Sequence, residues 1–247
     1  MQRPDYGLDS PLIISGLLVF SALCAGLGLL FPHLLHLPTR WIGLVAAAYF
    51  SFAAASMFFY SKVGKLRMRE GFLNSVPWRG DEQVLDVGCG RGLLLVAVAH
   101  RLLTGRAVGV DVWLPKAMTG NRPHSALENA ALEGVADRVE VREGDARKLP
   151  FPDESFDTVI SNFVLHELNA PAEREMMVRE IARVLKPGGY VALRDFIFTD
   201  VCVHDLQRLG FENAKRERVG RLGFWVGMIS KFGFFQLYHV TGRKGVR

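Results

Sequence analysis

Two charge-free apolar runs, 11–31 and 41–60, open the chain, and the pattern changes character after them. As helices rising about 1.5 Å per residue, runs of this length reach roughly 30 Å, the thickness of a bilayer's hydrocarbon core. The segment 33–40 between them (HLLHLPTR), with Pro32 just before it and Pro38 inside it, is long enough for a tight reversal. The pattern therefore predicts a helical hairpin with spans at 11–31 and 41–60. Trp41 and Tyr60 bound the second span, where amphipathic rings favour the membrane interface. Ala47, Ser51 and Ala55 on that span, and Ala22/Gly26 and Cys24/Gly28 on the first, form small-residue stripes that permit close helix contact. From about residue 65, short runs of β-forming apolar residues alternate with helical periodicity. Strands are expected at 83–87, 107–110, 138–141, 156–161, 190–194 and 234–241, and helices at 93–103, 125–133 and 172–185. Continuous apolar strands such as Ala107-Val108-Gly109-Val110 suit a sheet covered on both faces. The alternation implies an α/β doubly wound fold, in which ligands bind outside the carboxyl ends of the strands.

Charge divides the chain at the same place. Residues 1–60 hold only Arg3, Arg40, Asp5 and Asp9, so the net charge of +5 resides entirely in the remainder. Lys62, Lys65, Arg67 and Arg69 follow the second span directly. By the positive-inside rule they put the following domain, and with it the N-terminus, in the cytoplasm. Near anionic headgroups each such cation contributes about 1 kcal/mol. The expected organisation is a transmembrane hairpin over 1–64 and a cytoplasmic domain over 65–247, in an inner membrane of bacterial type. A cleaved signal peptide fits less well, because the first apolar run is long, its leading segment is weakly basic and a second span follows. Three scattered cysteines imply neither a disulfide framework nor a metal site.

The strand ends carry the chemistry. After the first strand comes Asp86-Val87-Gly88-Cys89-Gly90-Arg91-Gly92. Gly88, Gly90 and Gly92 let the backbone turn sharply and approach a ligand closely. A dinucleotide fingerprint would place its third glycine at 93, which is Leu, and Asp86 would repel a pyrophosphate but suit an ammonium group. Asp111 ends the second strand, where a carboxylate accepts bonds from ribose hydroxyls. Asp145, in Gly144-Asp145-Ala146 after the third strand, is placed to take an amine proton from adenine. Three acids and a glycine loop together describe a pocket for a cationic, adenosine-containing amino acid.

The segments 84–92 (VLDVGCGRG), 144–157 (GDARKLPFPDESFD), 157–168 (DTVISNFVLHEL) and 185–191 (LKPGGYV) resemble the successive motifs of class I S-adenosylmethionine-dependent methyltransferases. They are most similar to the branch of ubiquinone/menaquinone-biosynthesis and small-molecule methyltransferases. The resemblance covers roughly 70–245. It implies a Rossmann-like, seven-stranded, mostly parallel sheet and S-adenosylmethionine as cofactor. Gly88, Gly90 and Gly92 would pass under the cofactor, Asp86 would hold its ammonium, Asp111 the ribose, Asp145 and the backbone of Ala146 the adenine, and the backbone of Asn162 the methionine end. Trp113 stands where an aliphatic residue is expected, and is either an adenine-stacking residue or a rim aromatic. Cys89 is expected to serve as a small residue.

Methyl transfer needs alignment and exclusion of water, with a base where the acceptor is a phenol or thiol. His166, after the fourth strand, is the candidate base, with its neighbour Glu167 second; the bland alternative for His166 is a polar residue beside the pocket. The segment 219–235 (VGRLGFWVGMISKFGFF) reads as a covering loop and helix, or as an interfacial segment guiding an apolar acceptor. The leading expectation is a membrane-anchored methyltransferase acting on a small hydrophobic or membrane-resident acceptor: a quinone-like phenol, a lipid amine or a thiol. The alternative is a non-catalytic cofactor-binding scaffold that assembles with other membrane proteins. Nucleic acid is not an expected partner, since the charge excess is small and Ser161-Asn162-Phe163-Val164 replaces the D/N-P-P-Y/F motif of base methylation.

Overall fold

The computed structural model describes residues 3–32, 38–114, 117–220 and 236–246. The reversal at 33–37 and nearly all of the 219–235 segment lie outside these residues. Helix α1 (Pro11–Leu30) and helix α2 (Thr39–Phe59) occupy the two apolar runs and pack on each other. Their contact is closest at two glycines: a Cβ on Gly43 would lie 2.5 Å from the Cys24 carbonyl oxygen and 2.8 Å from Gly28 Cα. The Ser21 hydroxyl donates to the Ala47 carbonyl at 2.8 Å and lies 2.8 Å from Ser51 Oγ. Of the expected stripes, Ala47, Ser51, Cys24 and Gly28 border this seam, whereas Ala22 and Ala55 are exposed and Gly26 meets no neighbour. Ser21 and Ala54 take the inward places instead, one residue round the helix. Outward-facing Leu18, Val19, Leu23, Phe52 and Phe59 remain exposed. By length and composition both helices are capable of crossing a membrane.

A π-helical turn (Tyr60–Gly64) continues α2 into α3 (Lys65–Leu73). A Cβ on Gly64 would lie 2.8 Å from Tyr60 Cδ2, so the tyrosine ring lies over the glycine.

The domain that follows runs β1 (Gln83–Val87), α4 (Leu93–Ala99), β2 (Arg106–Asp111), α5 (Pro123–Leu132), β3 (Val139–Glu143), β4 (Phe156–Asn162), α6 (Pro171–Val184), β5 (Leu185–Asp195), α7 (Thr199–Arg208), β6 (Phe211–Arg218) and β7 (Tyr238–Lys244). Its seven strands are ordered β3-β2-β1-β4-β5-β7-β6, parallel except for β7, which runs antiparallel to both neighbours. The order reverses direction between β1 and β4, which opens a crevice at their carboxyl ends. The buried centres of β1, β2, β4 and β5 explain their uninterrupted apolar runs. Strand β6 (FENAKRER) is the strand that hydrophobic pattern does not reveal: it lies at the sheet edge, buries only Phe211 and Ala214, and its charges are of the kind that protect an edge.

Residues 5–10 form a strap that joins the hairpin to this domain. The Asp5 backbone oxygen accepts from Arg91 Nε at 2.7 Å and Asn129 Nδ2 at 3.0 Å. Leu8 and Thr119 exchange two hydrogen bonds, and the Tyr6 hydroxyl donates to Glu133. Gly7 has φ +75°, and a Cβ there would lie 2.9 Å from Arg91 Cδ. Lys65 locks the strap, with Nζ at 2.7 Å from Tyr6 O, 2.9 Å from Gly7 O and 3.1 Å from Asp9 Oδ1. The sequence reading of Lys65 as a headgroup-binding cation is thereby corrected: its side chain is only 3% exposed and its charge is directed inward. Arg69 is likewise turned inward against the Tyr6 ring, leaving Lys62 and Arg67 exposed.

Replacing Lys65 by Met leaves two carbonyls and a carboxylate without their donor. A destabilisation of the strap by about 2 kcal/mol is expected, enough for roughly thirtyfold faster exchange at the amides of residues 7–10. Hydrogen–deuterium exchange of Lys65→Met against the parent chain measures this, and unchanged exchange there would refute the latch.

Candidate functional site

The crevice at the sheet's carboxyl edge deepens into a cavity of about 530 Å³. It brings together most of the residues singled out in the sequence: Asp86, Gly88, Gly90, Asp111, Asp145, Ala146, Asn162 and His166 all line it. Gly92, the N-cap of α4 at φ 82°, and Trp113 do not.

The glycine loop has little tolerance for side chains. Gly88 sits at φ +75°, and a Cβ on it would lie 2.1 Å from Val164 Cγ2. The amides of Gly88 and Cys89 donate to the Val110 carbonyl, and the Gly90 amide to Asp111 Oδ2 at 2.8 Å. The other Asp111 oxygen accepts from the Trp113 amide at 2.6 Å. Asp111 thus fastens the loop to the end of β2, and its oxygens keep lone pairs for further donors. Trp113 does not take either of the places expected of it. It is 9% exposed, packs among core residues that include Leu95 and Ala130, and donates from Nε1 to the Gly90 carbonyl at 3.4 Å. The indole braces the loop from behind, at a left-handed φ of 46°. Cys89 is buried, and burial with Asp86 and Asp111 nearby pushes its thiol far up, so a small inert residue stands there.

Asp86 is the electrostatic centre. It is 2% exposed, its Oδ2 has no hydrogen-bond partner, and burial together with the neighbouring Asp111 pushes its carboxyl up to about 8. A buried carboxyl in this state is stabilised by an arriving cation with N–H donors. An amino acid's ammonium is such a group, so the residues fit the α-amino end of S-adenosylmethionine. Asp145 lies at the opposite rim, with its carboxyl held low mainly by Arg147, which in turn reaches Glu173. The Asn162 side chain accepts from Arg194 Nε at 2.7 Å.

The far wall holds His166. Its Nδ1 lies 3.2 Å from both carboxylate oxygens of Asp195, a residue with no exposure, and its Nε2 lies 3.1 Å from Glu167 Oε1. Asp195 is itself fixed by the amides of His166 and Phe196. Sequence reasoning missed Asp195, although it ends β5 as Asp86 ends the β1 region and Asp111 ends β2. Phe163 and Phe196 flank the imidazole, at centroid distances of 6.1 and 4.7 Å. Phe163 is held at φ 61°, with its amide bonded to the Arg194 carbonyl and its ring under the Arg194 guanidinium.

The sequence also gave no sign of the cavity's roof, which is built by Ser10 at the start of α1 and by Met57, Tyr60 and Ser61 at the end of α2. The strap residues Tyr6 and Asp9 complete it.

Comparison with known proteins agrees with this geometry. Residues 85–193 match the family model described as a methyltransferase domain. An uncharacterised protein of Haemophilus influenzae is 31% identical over 195 residues, covering 76% of this chain and 71% of that one. A phosphatidylethanolamine N-methyltransferase of Cereibacter sphaeroides is 39% identical over 111 residues, covering 45% of this chain and 49% of that one. The chain spans less than half the length of several curated relatives that it matches. Among solved structures, the [4+2]-cyclase SpnF superposes with a TM-score of 0.60 at 22% identity, over 74% of this chain and 82% of that one, which speaks to fold alone. The matched region over residues 85–193, the sheet order and the residues that meet at its carboxyl edge identify a methyltransferase domain with the class I S-adenosylmethionine-dependent fold, and S-adenosylmethionine as its cofactor.

Proposed function

We propose that this chain is a membrane-anchored methyltransferase whose acceptor is a small hydrophobic or membrane-resident molecule: a quinone-like phenol, a lipid amine or a thiol. One observation carries the reading: the cavity that holds the strand-end acids is roofed by the ends of two long apolar helices. Anchoring raises the local concentration of an acceptor that lives in the bilayer.

The bound cofactor supplies a methyl carbon on a sulfonium. The chain supplies the rest. Asp86 accepts from the ammonium, Asp111 from the ribose hydroxyls, and Asp145 with the Ala146 backbone contacts the adenine. The Asn162 backbone lines the methionine end. On the opposite wall, His166 takes the acceptor's proton at Nε2, where the acceptor displaces the Glu167 carboxylate that lies 3.1 Å from that nitrogen. Asp195 is a positioning residue: it holds the Nδ1–H tautomer and stabilises the imidazolium once it forms. Phe163 and Phe196 exclude water and keep the acceptor in line.

The Asp86 carboxyl sets the pH behaviour. Its folded-state value lies above the ordinary one, so without ligand the fold loses stability as pH rises from about 4 to about 8. An ammonium ligand binds the ionised form, so below about 8 its binding expels a proton and weakens up to tenfold per unit fall in pH. Calorimetry with S-adenosylhomocysteine should show tightening from pH 6 to 8 and a heat that depends on the buffer. Asp86→Asn should bind at least tenfold more weakly at pH 8 and lose the pH dependence; equal affinity for the two proteins would remove Asp86 from the site.

His166→Gln should lower kcat by about 10²–10³-fold while S-adenosylhomocysteine affinity is retained. Asp195→Asn should lower kcat by a smaller factor and move the acidic limb of its pH profile, where His166 gives up its proton, to lower pH. The function itself is tested with the full chain in lipid nanodiscs, tritiated S-adenosylmethionine and total membrane extract. Label should appear in apolar, extractable products, and label confined to water-soluble products would overturn the reading.

A further inference from the structure

The reading above leaves open how an acceptor reaches His166. The cavity is continuous from Asp86 to the underside of the hairpin, and it changes character along the way. At the cofactor end it is lined by carboxylates and glycines. At the far end Phe163, Phe196, His166 and Tyr60 present rings, and Met57 supplies an adaptable thioether. Met57 lies in the last turn of α2 and Tyr60 is the first residue beyond that helix, so the cavity begins where the hydrocarbon layer would end. Phe58 and Phe59, their neighbours in sequence, are 51% and 61% exposed, and Leu12 and Ile13 at the start of α1 are 74% and 40% exposed. Apolar surface therefore continues outward from the roof. The strap crosses the other edge, bolted by Arg91, Thr119 and Lys65.

Charge narrows what fits. Among the described residues, three cations line the cavity, and each is already committed: Lys65 to the strap, Arg91 to Asp5 and to the carbonyls of Thr119 and Gly120, and Arg147 to Asp145 and Glu173. Among the described residues, a phosphate beside the reacting group would meet Glu167 and Glu173 without a spare cation.

We propose that the acceptor enters sideways from the bilayer, between the end of α2 and the Phe163/Phe196 wall, as an amphiphile with no phosphate next to its nucleophile. Its chain stays against the apolar outer surface of the hairpin while its polar end reaches His166. Met57 and Tyr60 are the specificity-determining residues of this portal. The proposal rests on the reading of α1 and α2 as membrane spans.

The test places a thiol on the inner wall. Phe196→Cys is made in a Cys24→Ala background, and the full chain is reconstituted in phosphatidylcholine vesicles with S-adenosylhomocysteine bound. Three probes are compared by peptide mapping: N-hexadecylmaleimide in the bilayer, a sulfonated maleimide in water, and a phosphatidylethanolamine carrying maleimide on its headgroup. Leu103→Cys, at an exposed position, serves as the aqueous reference. The introduced thiol at 196 should favour N-hexadecylmaleimide over the sulfonated reagent by at least tenfold relative to the reference. It should also react at least tenfold more slowly with the headgroup reagent than with N-hexadecylmaleimide. Adding Met57→Trp should abolish the preference without changing S-adenosylhomocysteine affinity. If the blocked variant fails to bind that ligand, the preference in the unblocked protein decides alone. Faster reaction with the sulfonated reagent, or a block without effect in a protein that still binds, overturns the portal. Equal reaction with the headgroup reagent overturns the exclusion of phosphate. Alkaline carbonate extraction separates the two levels: a chain stripped from the vesicles refutes the membrane reading itself, whereas a retained chain labelled from water refutes only the route.

Discussion

A carboxyl group closed off from water with one oxygen unbonded is costly for a fold to keep, and Asp86 is such a group. Its position follows from the sheet. Where β1 ends, beside the reversal of strand order, backbone carbonyls and amides are occupied by the glycine loop and Asp111 fastens that loop from β2. Asp111 sits close enough to disfavour the ionisation of Asp86. A cation with N–H donors would resolve this conflict. The Asp111 hydrogen bonds, the bracing by Trp113 and the exclusion of side chains at Gly88 hold the loop beside it in one shape.

Much of this was legible in the sequence because it depends on local order. A strand that ends in an acid, followed by glycines at fixed spacing, implies its own geometry, and Asp86, Asp111 and Asp145 all came to the same cavity. The roles that depend on tertiary packing were not legible. Trp113, two residues after Asp111, reads in sequence as an adenine-stacking or a rim aromatic, but a left-handed backbone turns it into the core. Lys65 looked like one of four cations facing headgroups, and only the fold of residues 5–10 shows where its charge goes. Strand β6 escaped because an edge strand with one buried residue in three or four has no apolar rhythm to detect. Asp195 carried the same strand-end signal as the other acids, yet it follows a strand read as ending at 194.

The sheet is shared with proteins of different chemistry, a solved cyclase among them, so the fold alone does not name the reaction. What sets this cavity apart is the wall after β4, where Phe163 is held in a strained conformation by Arg194, and the roof contributed by the hairpin. Arg194 deserves its burial: it reaches Asn162 at the cofactor edge, the Met68 carbonyl on α3 and the rings of Phe72 and Phe163. One side chain thereby ties the stem below the hairpin to both walls of the cavity.

The strap gives the hairpin a second attachment. One end of the helix pair continues without interruption into α3, and the other is stitched through residues 5–10 to the glycine loop and α5. A domain hung from one flexible linker swivels freely, but one gripped at two points behaves like a bracket. Its sheet would keep a constant tilt to whatever plane the helices occupy, and any rocking of those helices would be felt at Arg91 as a pull on the glycine loop.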